Sequence, residues 1–498
     1  MKLSELVSNV EIIDSNLSSD PEINNLCTNS FEVEKGDVFI AVAGSEHDGH
    51  DFICIAHERG AVLIVTERMT PYLEKHSEID FILVKSTRLA VSHMWNAFCG
   101  RPSDKMIFVA VTGTNGKTST TYFLREIFNR AGYITGVVGT VKCFSGSRTD
   151  VIGESHVNSM TTPPPEKLYP ELARMVSDGV EIVFLEASSH ALAQYRLDPI
   201  NFALAIFTNL TPEHLDYHGD MDSYFNAKLR LLKLSDCALV NADDKWMSRI
   251  VGYDDIPIKT FSVESNADFR AIEARCRIDF TGIAYGFSEN ASNIEIECPI
   301  EGKFMIYNTL AAASAARLFA VRPQVIKEAL VSMPQIPGRM EHLSIPNDFG
   351  FEVYIDYAHT PEALKLALDT LKARKKPNGR IIVLFGCGGD RDSTKRPAMG
   401  RIASENSDLT VITSDNSRSE NPRTIIFDII RGIADRSNCC VIEKRECAIN
   451  YALNELCKDD ILLLAGKGHE DYEIDSFGKH SFSERDIVND FIEMRKSF

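Results

Sequence analysis

Apolar residues along this chain gather into short runs that end abruptly in polar clusters. Val38-Phe39-Ile40-Ala41-Val42 and Ala61-Val62-Leu63-Ile64-Val65 are the first two such runs. Phe108–Val111, Ile182–Leu185, Leu204–Phe207, Val353–Ile355, Ile381–Phe385, Leu409–Ile412 and Ile461–Leu464 follow at intervals. Runs this short, apolar at nearly every position, predict strands covered on both faces, as in parallel sheets flanked by helices. Helical spacing lies between them: Phe123, Leu124, Ile127, Phe128 and Ala131 fall on one face after the third run. The expected class is therefore α/β. Gly100-Arg101-Pro102-Ser103 reads as a linker, Pro337-Gly338-Arg339 marks a second boundary, and residues 262–300 read as an irregular, β-rich insertion. Three domains are predicted, at 1–98, 99–337 and 338–498.

The polar clusters carry the chemistry. Phe108–Val111 runs into Thr112-Gly113-Thr114-Asn115-Gly116-Lys117-Thr118-Ser119, a glycine turn that opens a helix. Backbone N–H groups in such a turn, with a helix N-terminus behind them, form a phosphate cradle. Lys117 would then reach the outer phosphates of ATP and the Thr118 hydroxyl would reach Mg²⁺. The spacing departs from the general phosphate loop, which has four residues between its glycines; here only Thr114 and Asn115 intervene. Two other strands end in Glu186-Ala187-Ser188-Ser189-His190 and Thr208-Asn209-Leu210-Thr211. Ligands of open α/β sheets bind at such carboxyl ends.

Composition narrows the class. Of the 498 residues 44% are apolar and 25% charged, as in ordinary globular proteins. The net charge of −18 argues against nucleic acid or an anionic membrane as partner. The twelve cysteines include no Cys-x-x-Cys pair, which points to reduced cytoplasmic thiols. No signal core follows Met1-Lys2-Leu3-Ser4-Glu5 and no run approaches a membrane span, so a cytoplasmic protein without membrane contact is expected.

Taken in order, the motifs resemble the Mur ligase family. They are Gly113–Thr118, Glu186–His190, Thr208-Asn209-Leu210-Thr211-Pro212-Glu213-His214-Leu215-Asp216-Tyr217-His218, Pro337-Gly338-Arg339-Met340-Glu341, Asp356-Tyr357-Ala358-His359-Thr360-Pro361 and Gly386-Cys387-Gly388-Gly389-Asp390-Arg391-Asp392. The resemblance spans essentially the whole chain. It implies an N-terminal UDP-binding domain, a central ATPase domain and a C-terminal dinucleotide-fold-like domain that closes over the site. It also implies peptidoglycan precursor synthesis, hence cell-wall biogenesis, shape and division. Within the family the chain is most similar to members that add the third residue of the stem peptide. For those members a carboxylate of UDP-MurNAc-L-Ala-D-Glu attacks the γ-phosphate of ATP, and an amine displaces phosphate from the acyl phosphate.

The resemblance assigns roles position by position. Lys117, Glu186, His214 and Lys228 become the catalytic set, with Thr118, Glu186, His214 and a carbamylated Lys228 around Mg²⁺. The residues alone also allow Glu186 as a strand-end carboxylate beside a cation, His214 as a satisfied histidine and Lys228 as a solvated helical lysine. Gly113, Thr114, Asn115, Gly116, Lys117, Thr118, Ser119, Asn308, Arg339, Asp356 and His359 would bind ATP. Asn308 also reads as a helix N-cap, and Asp356 as a cap for the segment after it. Ser30, Thr161, Thr162, Ser188 and Arg196 match contacts to the UDP-muramyl peptide. Two departures fall there: Met160 replaces an asparagine, and Asn29-Ser30-Phe31 replaces Asp-Ser-Arg.

Arg391, Asp415, Asn416, Arg418, Gly466 and Glu470 match the pocket for meso-diaminopimelate. Relatives specific for it carry Asp-Asn-Pro-Arg; this chain has Asp415-Asn416-Ser417-Arg418. A second carboxylate at the far end of the substrate calls for a cation, and Arg418 supplies one. Arg418 also reads as a surface arginine paired with Glu420. A monomer is expected. Folylpolyglutamate synthetases share the loop variant but lack the first domain and the Asp415-Asn416 region. A non-catalytic scaffold would be expected to have lost Lys117, Glu186, Lys228 or Arg339, all present here.

Overall fold

The computed structural model describes the chain apart from residues 45–46, 142, 147–150, 156–159, 278–281, 290–291 and 497–498. Among the described residues the strands form sheets of five, eleven and six strands and one two-stranded hairpin. The first sheet runs Ile12–Asn16, Phe81–Val84, Leu63–Thr66, Val38–Ile40, Leu26–Cys27, parallel except for its first strand. The run expected over 38–42 ends at Ile40, because Val42 turns its carbonyl to the Gly49 N–H (2.9 Å).

The large central sheet is built on Ile107–Thr112, flanked in parallel by Ile182–Glu186 and Leu204–Phe207. Alternate residues of these strands enter opposite cores, as the two-residue period of a strand requires. Ile182 and Phe184 pack with Phe123, Ile127 and Phe128 of the helix Lys117–Arg130. Val183 and Leu185 pack on the other face, in a core continuous with Val38, Ile40 and Trp95 of the N-terminal segment. The described residues of the irregular stretch form Phe269–Arg277, Gly282–Glu289 and Ser292–Cys298, an extension of this sheet.

The six-stranded sheet is ordered Glu341–His342, Glu352–Asp356, Ile461–Ala465, Ile381–Phe385, Leu409–Ile412, Cys439–Val441, parallel but for the first. Ile381, Val383 and Phe385 face one core, Ile382 and Leu384 the other. The hairpin Tyr472–Asp475 and Gly478–Ser481 stands beside it. No helix among the described residues is long and apolar enough to cross a membrane. The carboxyl ends of the central and C-terminal sheets both open on one cavity of about 1080 Å³.

Candidate active site

Backbone conformation shapes the nucleotide end of this cavity. Gly113 (φ +149°) and Gly116 (φ +85°) hold angles that side-chain-bearing residues rarely adopt. A Cβ at Gly113 would strike the Thr208 hydroxyl, and one at Gly116 would strike the Asn308 amide. The end of the neighbouring strand clamps the loop between them. Thr114 N donates to Asn209 O and Asn115 N to Asn209 Oδ1, both at 2.9 Å, and Thr208 Oγ1 donates to Asn115 O at 2.8 Å.

Two lysines converge on one carbonyl here. Lys117 Nζ donates to Gly113 O (2.9 Å) and Thr114 O (2.7 Å), and Lys228 Nζ reaches Gly113 O at 3.0 Å. Lys228 is therefore no solvated helical lysine: it is 2% exposed, with its Nζ 4.7 Å above the Tyr224 ring. Burial, reinforced by Lys117, holds its pKa far below the ordinary lysine value, which favours a neutral amine. Burial also lowers Lys117.

Glu186, at the end of its strand, is 1% exposed. Its Oε2 accepts from Thr118 Oγ1 (3.0 Å) and Thr140 Oγ1 (2.9 Å), and its Oε1 accepts from Thr140 N (2.9 Å). Arg339, from the C-terminal segment, donates through Nη2 to the same Thr118 hydroxyl at 3.1 Å. His214 sits at φ +57°, and burial brings its pKa down to about 4, so its imidazole is neutral near pH 7. Beside it lies Glu213, which sequence reasoning did not single out. Its Oε1 is 3.0 Å from His359 Nε2, and although burial opposes ionisation, His359, His214 and Lys117 keep it well below the carboxylate range.

The donor set suits Mg²⁺. Among the described residues no three His, Cys, Asp or Glu side chains come close enough to hold a metal alone. A buried carboxylate hydrogen-bonded to a hydroxyl at the mouth of a phosphate cradle is the kind of partial set that Mg²⁺ completes with water and substrate phosphates.

Two further alternatives resolve at this end. Asn308 lies inside the helix Lys303–Leu318, whose N-cap is Gly302, so it is not the cap; it lines the cavity. Asp356 does cap the segment after it, accepting from the Ala358 backbone, and its Oδ2 also accepts from Met340 N at 2.7 Å, sixteen residues earlier; burial raises its pKa. His359 Nδ1 bonds Tyr357 O at 2.8 Å. Ser119 is buried in the first turn of the helix.

A second cavity, of about 520 Å³, lies between the N-terminal segment and the central sheet. Ser30 and Arg196 both line it, with Phe31 and Arg88, whereas Thr161 lines the large cavity. Thr162 and Ser188 lie between the two. Arg196 Nη1 donates to Thr162 O (2.7 Å), and Thr162 Oγ1 donates to Glu186 O (2.6 Å) and lies 3.0 Å from Ser188 Oγ. Ser188 Oγ also caps the helix Ser189–Ala193.

At the far end of the large cavity stand Arg391, Asp415, Asn416, Arg418, Gly466 and Glu470. Arg418 does not pair with Glu420, which is bonded to Arg396 at 2.8 Å. Its Nη1 donates instead to Gly389 O (2.8 Å) and Asn416 O (3.2 Å), while Arg391 donates to Asp390 O (3.2 Å). Both guanidiniums thus bond backbone carbonyls, and their charge is available to an anion. Asp415 is buried, but Lys467 and Arg445 hold its pKa down; burial and Asp415 push that of Glu470 up. Gly466 (φ +109°) leaves room for the Asp415 carboxylate.

Behind this wall are side chains that the motifs did not single out. Arg445, fully buried, donates to Glu484 Oε1 (2.9 Å), Ala465 O (2.8 Å) and Ser414 O (3.2 Å), tying together two strand ends. Lys467 was readable within Gly466-Lys467-Gly468-His469-Glu470, but Arg445 and Glu484 stand 39 residues apart with no motif to join them.

Known proteins match the chain along most of its length. Residues 22–98 match the Mur ligase family catalytic domain, 111–316 the Mur ligase middle domain, and 338–468 the Mur ligase glutamate ligase domain. The chain is 37% identical over 495 residues to the UDP-N-acetylmuramoyl-L-alanyl-D-glutamate–2,6-diaminopimelate ligase of Clostridium tetani, covering 99% of each. It is 38% identical over 497 residues to the enzyme of that name from Clostridioides difficile, covering 98% of this chain and 99% of the other. A solved structure of a ligase of the same name superposes with a TM-score of 0.67 at 27% identity, over 100% of this chain and 99% of that one.

Proposed function

The chain belongs to the Mur ligase family, and from that premise we propose that it joins meso-diaminopimelate to UDP-N-acetylmuramoyl-L-alanyl-D-glutamate, with ATP as co-substrate, in cytoplasmic peptidoglycan precursor synthesis. One observation carries the reading. The phosphate loop Thr114–Ser119 and the cationic wall of Arg391 and Arg418 line the same cavity, so a nucleotide and an amino acid can meet around one carbonyl carbon.

The reaction asks the protein chiefly to position and neutralise. The γ-carboxylate of the D-Glu residue attacks the γ-phosphorus and ADP leaves; the amine then attacks the acyl carbon and phosphate leaves. Two anions must first come together, so cations aimed at the transferring group dominate. We assign Lys117 and Arg339 to that work, with loop N–H groups on the inner phosphates, Asn308 beside the base, and Asp356 and His359 towards the ribose and phosphates. Thr118, Glu186, His214 and a carbamylated Lys228 would hold Mg²⁺. The ion's contribution is to spread phosphate charge and orient oxygens. A buried Lys228 whose pKa is held down suits the modification, since only the free base adds to CO₂, releasing a proton as the carbamate forms. Ser30, Thr161, Thr162, Ser188 and Arg196 are assigned to the UDP-muramyl peptide.

Phosphate release from the purified protein tests the reading. Turnover is expected only when ATP, Mg²⁺, the UDP-muramyl dipeptide and diaminopimelate are present together. Robust turnover of a folate substrate, or ATP hydrolysis indifferent to the dipeptide, would overturn it. Lys228→Ala is expected to lose about a hundredfold in kcat and to recover in part with an added short carboxylate. Near wild-type activity in that variant would remove Lys228 from the mechanism.

A further inference from the structure

Lys467 is fully buried, and its ammonium bonds Asn416 of the amino-acid pocket. Its Nζ lies 3.1 Å from Asn416 Oδ1, 3.7 Å from Asp415 and 3.6 Å from Glu470, over the rings of Tyr472 and Phe482. Asn416 is the centre of this group. Its Oδ1 receives Lys467 Nζ and, at 3.0 Å, the Ile474 backbone N–H; its Nδ2 donates to Glu470 Oε2 at 2.7 Å. An ammonium and a peptide N–H only donate, so Oδ1 must face Lys467 and Ile474 and Nδ2 is left to donate to Glu470. Reversing it would set Nδ2 against two donors and Oδ1 against a carboxylate, deep in the protein, where such mismatches are costly.

We propose that Lys467 is a positioning residue that, with Ile474, locks the Asn416 amide so the pocket has a donor side and an acceptor side and thereby reads the far stereocentre of the amino acid. The inference rests on the diaminopimelate reading. Asn416 Nδ2 and the Arg418 guanidinium offer hydrogens to a carboxylate, while Glu470 offers oxygen to an ammonium. Inverting the far centre exchanges those two groups, setting carboxylate against carboxylate and ammonium against guanidinium. Lysine, without a far carboxylate, meets only half of the pattern. The same contacts explain how the loop is held without the proline of its relatives: Ile474 bonds the Asn416 side chain and accepts from Arg418 N at 3.1 Å.

The test compares meso-, LL- and DD-diaminopimelate and L-lysine in steady-state turnover by wild type, Lys467→Met and Lys467→Arg. The wild type is expected to prefer the meso isomer at least tenfold in kcat/KM. Lys467→Met should raise KM for that isomer tenfold or more and narrow the preference among isomers. KM for ATP and for the UDP-muramyl dipeptide should change less than twofold, and Lys467→Arg should regain part of the preference. Equal use of the three isomers by wild type overturns the inference with no variant needed. So does a Lys467→Met protein that keeps the wild-type isomer ratio, or one in which kcat and every KM shift together. A wild type that turns over lysine and no diaminopimelate isomer overturns the substrate reading along with it.

Discussion

In the nucleotide cradle, Lys117 bonds carbonyls three and four residues before it; in the amino-acid pocket, Lys467 bonds an amide 51 residues before it. Both lysines serve anion-binding corners of the same cavity. The first is templated by one turn of chain, two glycines and a helix N-terminus. The second is assembled from the loop 415–418, the segment 466–470, the hairpin at Tyr472–Asp475 and, behind them, Arg445 and Glu484. A locally built corner should fail in function while the fold survives. A corner built from distant segments ties function to stability, because its buried charges are solvated by one another and by carbonyls and an amide from those segments.

Arg445→Met is expected to have the largest effect. Removing the cation leaves Glu484 buried and unpaired, which costs about 3–5 kcal/mol of stability, readable as a shift in urea midpoint. Adding Glu484→Leu should recover much of the loss. An unshifted midpoint in the single variant would erase the contrast between the corners. Lys117→Ala comes next. It is expected to lower kcat about a hundredfold to a thousandfold, the scale of a lost transition-state donor, with a stability loss of about 1–2 kcal/mol from the two lost loop bonds, smaller than that of Arg445→Met. Unfolding of that variant at room temperature would show the loop to be structural after all.

Arg418→Ala sharpens the comparison within the pocket itself. It should cost about 2 kcal/mol or more for diaminopimelate by stranding the far carboxylate, about thirtyfold in affinity, and leave lysine binding nearly unchanged. Isothermal titration with the two amino acids decides it, and equal losses for both would move Arg418 out of the recognition set. The smallest effect is expected for Ser188→Ala, which removes a helix cap bonded to Ala191 N. A loss of about 1 kcal/mol in stability is expected, and denaturant unfolding checks it.

Legibility followed the same divide. The runs at Leu204–Phe207, Ile381–Phe385 and Leu409–Ile412 became strands with the predicted limits. The glycine loop opened its helix at Lys117 as its composition demanded. Lys228 looked solvated because a lysine near the end of a helix usually is. It is buried because it shares a face with Tyr224, four residues earlier, and that face turns towards Gly113 from a segment 115 residues away. Asn308 resembled a cap, but the helix begins five residues before it, at Lys303 behind Gly302. Arg418 and Glu420 are near neighbours in sequence that point to different partners, Gly389 and Arg396.

By itself the sequence determined where strands and helices lie, which turn could cradle phosphate, and which ordered motifs mark the family. Those depend on dihedral preference, hydrophobic period and contiguous residues, all local quantities. The tertiary structure alone decided which charges are buried and what they face. It drew Lys228 to the phosphate loop, joined Glu213 to His359, and gave the Asn416 amide its direction. The free energy of a buried charge or amide depends on neighbours that the chain order does not bring near, so no local pattern encodes it.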